Sequence, residues 1–453
     1  MKKVFLHFAL VLLSISAVAQ GPGPANDPSQ ILQAGPMLGY SQMREVMLWV
    51  QTNAPASIKI MYWEKGMPSP LFETNTVETN KSNGYTAHLL ADEVMPGKTY
   101  EYKLYINNDF IEFDYLLEFK SAPDWAYKSD PPKFSVAVGS CFYINDQPFD
   151  RKGSAYGGEY EIVEQIHEKR PDMMIWLGDN TYYREADWGT KTGMIYRNTN
   201  TRSLTELQPL LASTHHYATW DDHDYGPNDH NRTFVNKTLS LDVFQMFWGN
   251  QLYGFLDEEC AVTKWTWGDV DFYLLDNRWF RSANGLEEGD KPYFGKKQID
   301  WLIENLKASR ASFKIIGTGG QVLNPAKKYE NYANYEEERA YFLKRLDEEN
   351  IYGVMFLSGD RHHTELTEMP RSNNYPLRDL TVSPLTSGTH AARDEGNVFQ
   401  VENTLVSDRN FAILEFSGKW GERAMNMTIY NQKGQIEWSK SFELEDFRPE
   451  KKE

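Results

Sequence analysis

Residues that bind metals or titrate follow directly after several predicted strands. Their segments are Gly139-Ser140-Cys141, Gly178-Asp179-Asn180-Thr181-Tyr182, Trp220-Asp221-Asp222-His223-Asp224 and Ser358-Gly359-Asp360-Arg361-His362-His363. In open α/β sheets, ligands bind just past the carboxyl ends of the strands. A single aspartate at such a position is often only a helix cap. Four strand endings that all carry metal-competent side chains predict a metal centre.

Together these segments resemble the calcineurin-like metallophosphoesterases, in which paired β-α-β units hold two metals, and more closely their PhoD-like branch. The family's bridging aspartate and ferric-binding tyrosine match Gly178-Asp179-x-x-Tyr182, and its Trp-Asp-Asp-His-acid segment matches Trp220-Asp221-Asp222-His223-Asp224. The usual Gly-His-x-His is replaced by Gly359-Asp360-Arg361-His362, and the first Asp-x-His by Gly139-Ser140-Cys141. The resemblance covers about Phe134 to the C-terminal strands.

The donor types divide the expected ligands into two sets. A thiolate at Cys141 and a phenolate at Tyr182 favour a trivalent or softer ion over calcium, and the resemblance implies Fe³⁺. Asp179 is the expected bridging ligand. The hard oxygens of Asp222 and Asp360 suit a second, divalent position, where the family uses Ca²⁺. Two further ligands are expected, His362 on the iron side and Asn228 on the calcium side.

This constellation predicts metal-assisted hydrolysis of a phosphate ester. His223 is the expected general acid for the leaving alkoxide, because on an extended turn its side chain points away from that of Asp222. Arg184 and Arg278 are candidates for clamping phosphate oxygens in a bidentate manner.

Several residues allow more than one interpretation. A disulfide between Cys141 and Cys260 would remove the thiolate. Asp221 and Asp224 are either ligands or capping residues, and His363 either orients His362 or contacts substrate. The remaining candidates are expected to be structural or ion-pairing residues, and these are His215, His216, Arg281 and Arg361.

The elements that must position these residues fall into two regions. Residues 30–122 read as short strands separated by Pro, Asn and Gly, which predicts an antiparallel β-sandwich of fibronectin or immunoglobulin type. Residues 123–133 are rich in proline and predict a linker. Over residues 134–446, strands alternate with amphipathic helices, which predicts an α/β layered metallophosphoesterase core. Helices are expected at 159–169, 203–211, 295–309 and 335–349.

Composition bounds the function further. The chain has 453 residues and a formal charge of −17, which speaks against a nucleic-acid-binding surface or a basic face for anionic membranes. Residues 1–19 read as a signal peptide: a basic pair at Lys2-Lys3, a short apolar stretch, and the small-residue cleavage site Ala17-Val18-Ala19. The sequence therefore predicts an exported protein, periplasmic or extracellular, without a membrane anchor.

The expected partners are small phosphate esters, either monoesters or diesters, and the sequence has no feature that selects between them. A phospholipid or a nucleotide remains open as the substrate. The alternative from another class is a secreted, cation-dependent carbohydrate-binding protein or adhesin that binds metal without turnover.

Overall fold

The structure, a computed structural model, describes residues 28–449 except Arg151, Ser154, Glu288, Asn373, Arg393 and Asp394. The predicted signal peptide, residues 1–19, lies outside the described residues. Within them, no helix combines the length and the apolar character needed to cross a membrane.

Strands make up most of the regular structure. In the first part of the chain they are β1 (Leu32–Ser41), β2 (Val46–Thr52), β3 (Ser57–Glu64), β4 (Phe72–Glu73), β5 (Val77–Glu78), β6 (Thr86–Ala91), β7 (Thr99–Ile106), β8 (Asp109–Phe110) and β9 (Glu118–Lys120). The later strands are β10 (Phe134–Gly139), β11 (Met173–Leu177), β12 (His215–Thr219), β13 (Thr263–Trp267), β14 (Val270–Leu274), β15 (Phe313–Thr318), β16 (Val354–Ser358), β17 (Glu365–Met369), β18 (Leu377–Thr381), β19 (Asn410–Lys419), β20 (Glu422–Asn431) and β21 (Ile436–Glu443).

Helices connect the later strands. They are α1 (Glu161–Glu168), α2 (Lys191–Arg202), α3 (Gln208–Ser213), α4 (Asp222–Tyr225), α5 (Lys237–Phe247), α6 (Lys296–Ala308) and α7 (Glu336–Glu348). Short 3₁₀ helices cover Pro28–Gln30, Lys81–Asn83, Thr205–Leu207, Tyr332–Asn334 and Leu444–Phe447.

Two large mixed sheets form the core. The first has nine strands in the order β21-β20-β19-β10-β11-β12-β1-β2-β6, and the second has six in the order β13-β14-β15-β16-β18-β17. Strands β10, β11 and β12 run parallel, as do β14, β15, β16 and β18. Every residue of β11 is buried, as expected for a parallel strand covered on both faces. The predicted α/β layered core is confirmed.

The side-chain alternation of the strands places one face of the first sheet against the second sheet. Val136 and Val138 of β10 belong to a buried cluster that includes Phe272 of β14. Ala137, between them, belongs to a different cluster that includes Ile162 of α1. Successive residues of a strand point to opposite faces, so helices cover the outer face while the two sheets pack on each other.

The N-terminal strands form a two-layered, strand-rich module, which confirms the predicted sandwich. Leu48 of β2 and Leu89 of β6 share a buried cluster with Ile60 of β3 and Leu104 of β7. The layer made of β1, β2 and β6 is also part of the nine-stranded sheet, because β1 pairs in parallel with β12. Strand pairing therefore links this layer to the core, whereas the sequence pattern predicts residues 30–122 as a separate domain. The division into domains stays a prediction.

The predicted helices at 159–169, 295–309 and 335–349 correspond to α1, α6 and α7. The one predicted at 203–211 is instead a 3₁₀ turn at Thr205–Leu207 followed by α3. Pro209 lies in the first turn of α3, where proline is tolerated because the backbone N–H has no intrahelical partner there. Helices α2 and α5 were not predicted.

His216 in β12 is buried in the sheet and holds its neighbours by hydrogen bonds. Its Nδ1 accepts a hydrogen bond from the indole of Trp176 at 2.9 Å, and its Nε2 lies 3.2 Å from the carbonyl oxygen of Leu210. Burial lowers the pKa of His216 from 6.5 to about 3. This environment favours the neutral imidazole.

We expect acidification to destabilise the protein in part through His216. Below pH 6.5 the unfolded chain takes up a proton on this imidazole, whereas the folded chain resists protonation down to about pH 3. The free energy of unfolding should therefore fall by up to about 1.4 kcal/mol per pH unit as the pH drops from roughly 6 to 4. In His216→Gln the amide can still accept from Trp176, and denaturant titrations should show a smaller loss. Equal losses in both proteins would contradict the assignment.

Candidate metal centre

Three of the predicted ligands occupy the same position relative to a strand end. Cys141, Asp179 and Asp360 are each the second residue after the last residue of β10, β11 and β16. Their φ angles are 56°, 53° and 66°, in the left-handed region, which costs a residue other than glycine on the order of 1–3 kcal/mol. At each position the chain turns sharply at the carboxyl edge of its sheet. Such backbone outliers cluster at functional sites.

The sulfur and phenol donors lie against Asp179. Sγ of Cys141 is 3.6 Å from Oδ2 of Asp179, and the Tyr182 hydroxyl donates to the same oxygen at 3.0 Å. The Tyr182 hydroxyl is also 3.5 Å from Nε2 of His362. The ligand atoms of Cys141, Asp179 and His362 all lie within 4.8 Å of one another. We call Cys141, Asp179, Tyr182 and His362 the sulfur side.

Cys141 is a free, buried thiol, and Cys260 is also free and buried, so the alternative of a disulfide between them is not realised. The Ser383 hydroxyl donates to Sγ of Cys141 at 3.1 Å. Burial raises the pKa of the Cys141 thiol to about 12. A cation bound to the sulfur would reverse this preference, because coordinating thiols are deprotonated.

Carboxylates form the other half of the centre. Oxygens of Asp221, Asp222 and Asp360 lie within 4.8 Å of one another, and oxygens of Asp222, Asp229 and Glu330 form a second group of this kind. We call these five residues the carboxylate side. A third group, made of Asp179, Asp222 and His223, lies where the two sides meet. Asp179 is thus within reach of both sides, as a bridging ligand must be.

The donor sets fit two different cations. On the carboxylate side, Oδ2 of Asp221 is buried and has no hydrogen-bond partner among the described residues. Burial, together with the charge of Asp221, raises the pKa of Asp360 to about 7. Buried carboxylate oxygens that lack partners are costly, and a hard cation would satisfy them. The thiol and phenol of the sulfur side suit a softer or trivalent ion.

Arg278 lies behind the carboxylate side and is 1% exposed. Its Nε donates to Oδ1 of Asp221, and its two Nη atoms donate to the two carboxylate oxygens of Glu330 at 2.9 and 2.6 Å. Nη2 is also 3.6 Å from Oδ1 of Asp222. The guanidinium therefore neutralises protein carboxylates, which differs from the predicted phosphate clamp. Arg281 also pairs with Glu330, at 2.8 Å.

Arg184 is likewise engaged by the protein. Its Nη2 donates to Asp150 at 2.9 Å and to the carbonyl oxygen of Ile144 at 2.8 Å, and its Nη1 donates to the carbonyl oxygen of Tyr182. The guanidinium also lies over the ring of Tyr143 at 4.1 Å. Arg184 thus fastens the loop after β10 to the segment that carries Tyr182, and this too differs from the predicted phosphate contact.

Asp224 supports the backbone that presents Asp179. Its carboxylate accepts from the N–H groups of Asn180 at 2.9 Å, Thr181 at 3.1 Å and Asp221 at 3.0 Å. These bonds hold the loop after β11 against the start of α4. Of the two interpretations of Asp224, the structure favours the capping residue.

His223 lies in α4, a single helical turn that begins at Asp222, so the predicted extended turn is wrong. The turn brings the imidazole of His223 towards Asp222 rather than away from it, with Nε2 4.0 Å from Oδ2 of Asp222. The imidazole packs on the Tyr182 ring at a centroid distance of 4.2 Å. The His223 side chain keeps 22% of its surface exposed.

Two acidic residues of the centre were missed by the sequence analysis. Asp229 follows the predicted ligand Asn228, and both residues are exposed. The backbone N–H of Asp229 donates to Oδ2 of Asp222 at 2.8 Å. Asp229 could have been identified from the sequence, because it is directly next to the predicted ligand Asn228. Glu330 lies in a loop between β15 and α7 without any recognisable motif, so its contribution is visible only in the structure.

Comparisons with known protein families match two parts of the chain. Residues 256–433 match the family described as PhoD-like phosphatase, and residues 29–114 match a domain of unknown function, DUF7800. No curated protein matches the chain significantly.

Two solved structures share the fold. One is the structure of PhoD, with a TM-score of 0.74, 15% identity, and coverage of 92% of this chain and 93% of the other. The second is the purple acid phosphatase from yellow lupin (Lupinus luteus) seeds, with a TM-score of 0.65, 12% identity, and coverage of 90% and 74%. At these identities the likeness concerns the fold alone.

Proposed function

We propose that the chain is an exported, metal-dependent phosphoesterase that uses Fe³⁺ and Ca²⁺. The match of residues 256–433 to the PhoD-like phosphatase family and the fold shared with PhoD support this proposal. The observation that carries the metal assignment is the shared position of Asp179. Its carboxylate lies between a thiol and a phenol on one side and Asp222 on the other. Export is proposed from the signal-peptide pattern of residues 1–19.

The assignment of ligands follows the donor chemistry. Cys141, Tyr182 and His362 of the sulfur side would hold Fe³⁺. Asp222 and Asp360 would hold Ca²⁺, with Asp229 and Glu330 as further oxygen donors, because their carboxylate oxygens lie within 4.8 Å of Asp222 and of each other. Asn228 carries an amide and does not belong to these groups of carboxylates among the described residues. Such cations supply Lewis-acid stabilisation of the phosphoryl oxygens and make water a stronger nucleophile at neutral pH.

The residues around the ligands keep them in place. Ser383 donates to the sulfur of Cys141, and Asp224 holds the loop that carries Asp179. Arg278 balances the charge of Asp221 and Glu330, so that the carboxylates can lie close together before a cation binds. His223 is left with a partly exposed imidazole beside both sides of the centre, where it can give a proton to a departing alkoxide.

Visible spectroscopy with turnover assays tests this proposal. A phenolate bound to Fe³⁺ gives a charge-transfer band, so the purified protein should be coloured and Tyr182→Phe should lose the colour. The matched control is Tyr183→Phe, because Tyr183 is a buried neighbour whose hydroxyl accepts from Asn198 at 3.0 Å. That variant should keep the band.

The same samples are assayed with p-nitrophenyl phosphate and bis(p-nitrophenyl) phosphate, and their metal content is measured. Turnover of either ester that is lost on chelation supports the phosphoesterase. A colourless but active protein that contains divalent ions alone would contradict the iron assignment. Metal binding without turnover of any ester would instead support the adhesin alternative.

A further inference from the structure

Two tyrosines beside the metal centre keep much of their surface exposed to solvent. The exposed fraction is 44% for Tyr156 and 61% for Tyr329. Single exposed aromatic residues are common on protein surfaces. These two differ because each is fixed in place by a residue that belongs to, or directly neighbours, a predicted metal ligand.

Tyr156 stands next to the sulfur side. Its hydroxyl is 3.3 Å from Nδ1 of His362, and its ring lies 6.1 Å from the imidazole. The ring also makes an edge contact with Tyr143 at 4.8 Å. Tyr143 donates to Asp150 at 2.7 Å, the same carboxylate that Arg184 binds. The ion pair of Arg184 therefore holds Asp150, which binds the Tyr143 hydroxyl and so fixes the ring that packs against Tyr156.

Tyr329 stands next to the carboxylate side, directly before Glu330. One face of its ring is covered by the guanidinium of Arg361 at 4.5 Å. Arg361 is buried and paired with Glu395, and it follows Asp360 in the chain. Because Arg361 covers one face and most of the ring is exposed, the opposite face is open to a ligand.

His390 contacts the Tyr329 ring and the backbone of His362, the residue that the Tyr156 hydroxyl approaches. The imidazole of His390 lies 6.0 Å from the Tyr329 ring, and the backbone N–H of His390 donates to the carbonyl oxygen of His362 at 2.8 Å. His390 is itself paired with Glu395 at 2.7 Å. We call Tyr156, His362, His390 and Tyr329 the aromatic rim.

We propose that the aromatic rim binds a flat aromatic ring of the substrate, with Tyr329 as the main stacking surface. This inference rests on the proposed function and specifies the substrate as a phosphate ester that carries a nucleobase or a similar ring. Stacking on tyrosine needs no base-specific hydrogen bonds, because every base offers a flat π face. The rings are already held in place, so little conformational freedom is lost on binding.

Three phosphodiesters with the same p-nitrophenolate leaving group test the proposal. Their retained groups are thymidine, phenyl and methyl. The nitrophenyl ring is common to all three, so the ratio of kcat/KM for an ester whose retained group carries a ring to that for the methyl ester reports recognition of the retained ring. The wild type should favour the esters whose retained group carries a ring. In Tyr329→Ala the ratio should fall about five- to a hundredfold. Thymidine 5′-phosphate and methyl phosphate provide the same comparison for an enzyme restricted to monoesters.

Two controls accompany this variant. Tyr329→Phe keeps the ring and should keep the ratio. Tyr127→Ala removes a fully exposed tyrosine of the predicted linker and should leave the ratio and the individual rates unchanged. A gain for thymidine alone identifies a nucleoside as the ligand, and equal gains for thymidine and phenyl identify any flat ring.

Two outcomes would overturn the proposal. If the methyl ester is turned over but the ratio is near one, or is unchanged in Tyr329→Ala, the rim does not bind a ring of the retained group and the proposal is wrong, although the phosphoesterase stands. If no ester of either set is turned over by metal-loaded protein, the proposed function fails, and the ring-binding site fails with it.

Discussion

Asp179→Asn should remove bound metal and activity together. Oδ2 of Asp179 faces the thiol of Cys141 and the hydroxyl of Tyr182, and Oδ1 accepts from the N–H of His223 at 3.3 Å. An amide carries no charge and can offer a single acceptor oxygen, so it cannot serve cations on both sides. Losing an outer partner of a metal ligand typically costs 10–100-fold, and a central ligand should cost more than about a hundredfold in kcat/KM.

Asparagine is the right replacement for backbone reasons. Asp179 has a positive φ of 53°, and asparagine is one of the few residues that adopts this region readily. The variant should therefore keep its fold, as judged by circular dichroism and thermal unfolding. The matched control is Asp109→Asn in β8, an exposed aspartate. Near-normal turnover with both metals retained in Asp179→Asn would show that Asp179 is only a turn residue.

The parts of the centre that follow strand ends could be predicted from sequence, because their signals are local. A short apolar run followed by glycine and aspartate, as at Leu177-Gly178-Asp179, marks both a buried strand and its carboxyl end. The carboxyl ends of strands are where ligands gather. The structure agrees with this signal, because Cys141, Asp179 and Asp360 each lie two residues after the end of a strand.

The ion pairs around the centre could not be predicted from such local signals. Arg278 and Glu330 are separated by 52 positions, and Arg184 and Asp150 by 34. Sequence alone identifies an arginine near a motif, but not the carboxylate that the fold brings to it. An arginine beside a predicted phosphate site is then interpreted as a phosphate ligand. In the fold, both guanidinium groups instead donate hydrogen bonds to carboxylates of the protein.

The relation between the N-terminal strands and the core is also invisible in the sequence. Each strand of residues 30–122 shows its own alternation, which predicts two layers. The pairing of β1 with β12 joins residues that are far apart in the chain, such as Leu38 and His215. The proline-rich segment at 123–133 suggests two separate domains. The strands that follow it, β10 to β12, nevertheless join the nine-stranded sheet that also contains β1, β2 and β6.

The second large effect concerns His223, and its size should depend on the leaving group. If His223 protonates the departing oxygen, its loss should matter most for a basic alkoxide, which leaves poorly without a proton. General acid catalysis contributes roughly a hundred- to ten-thousandfold, so His223→Asn should lose that much with an alkyl phosphate. Nitrophenolate leaves readily without a proton, and the loss with p-nitrophenyl phosphate should be much smaller.

Metal content separates this role from a direct ligand role. His223 belongs with Asp179 and Asp222 to a group whose ligand atoms lie within 4.8 Å of one another, so its imidazole is close enough to be a ligand as well. As a general acid it can be removed with both metals retained. His167→Asn, in α1, is the control for replacing a partly buried histidine outside the centre and should leave both rates unchanged. Equal losses with both leaving groups, together with lost metal, would show that His223 is a ligand and that another group supplies the proton.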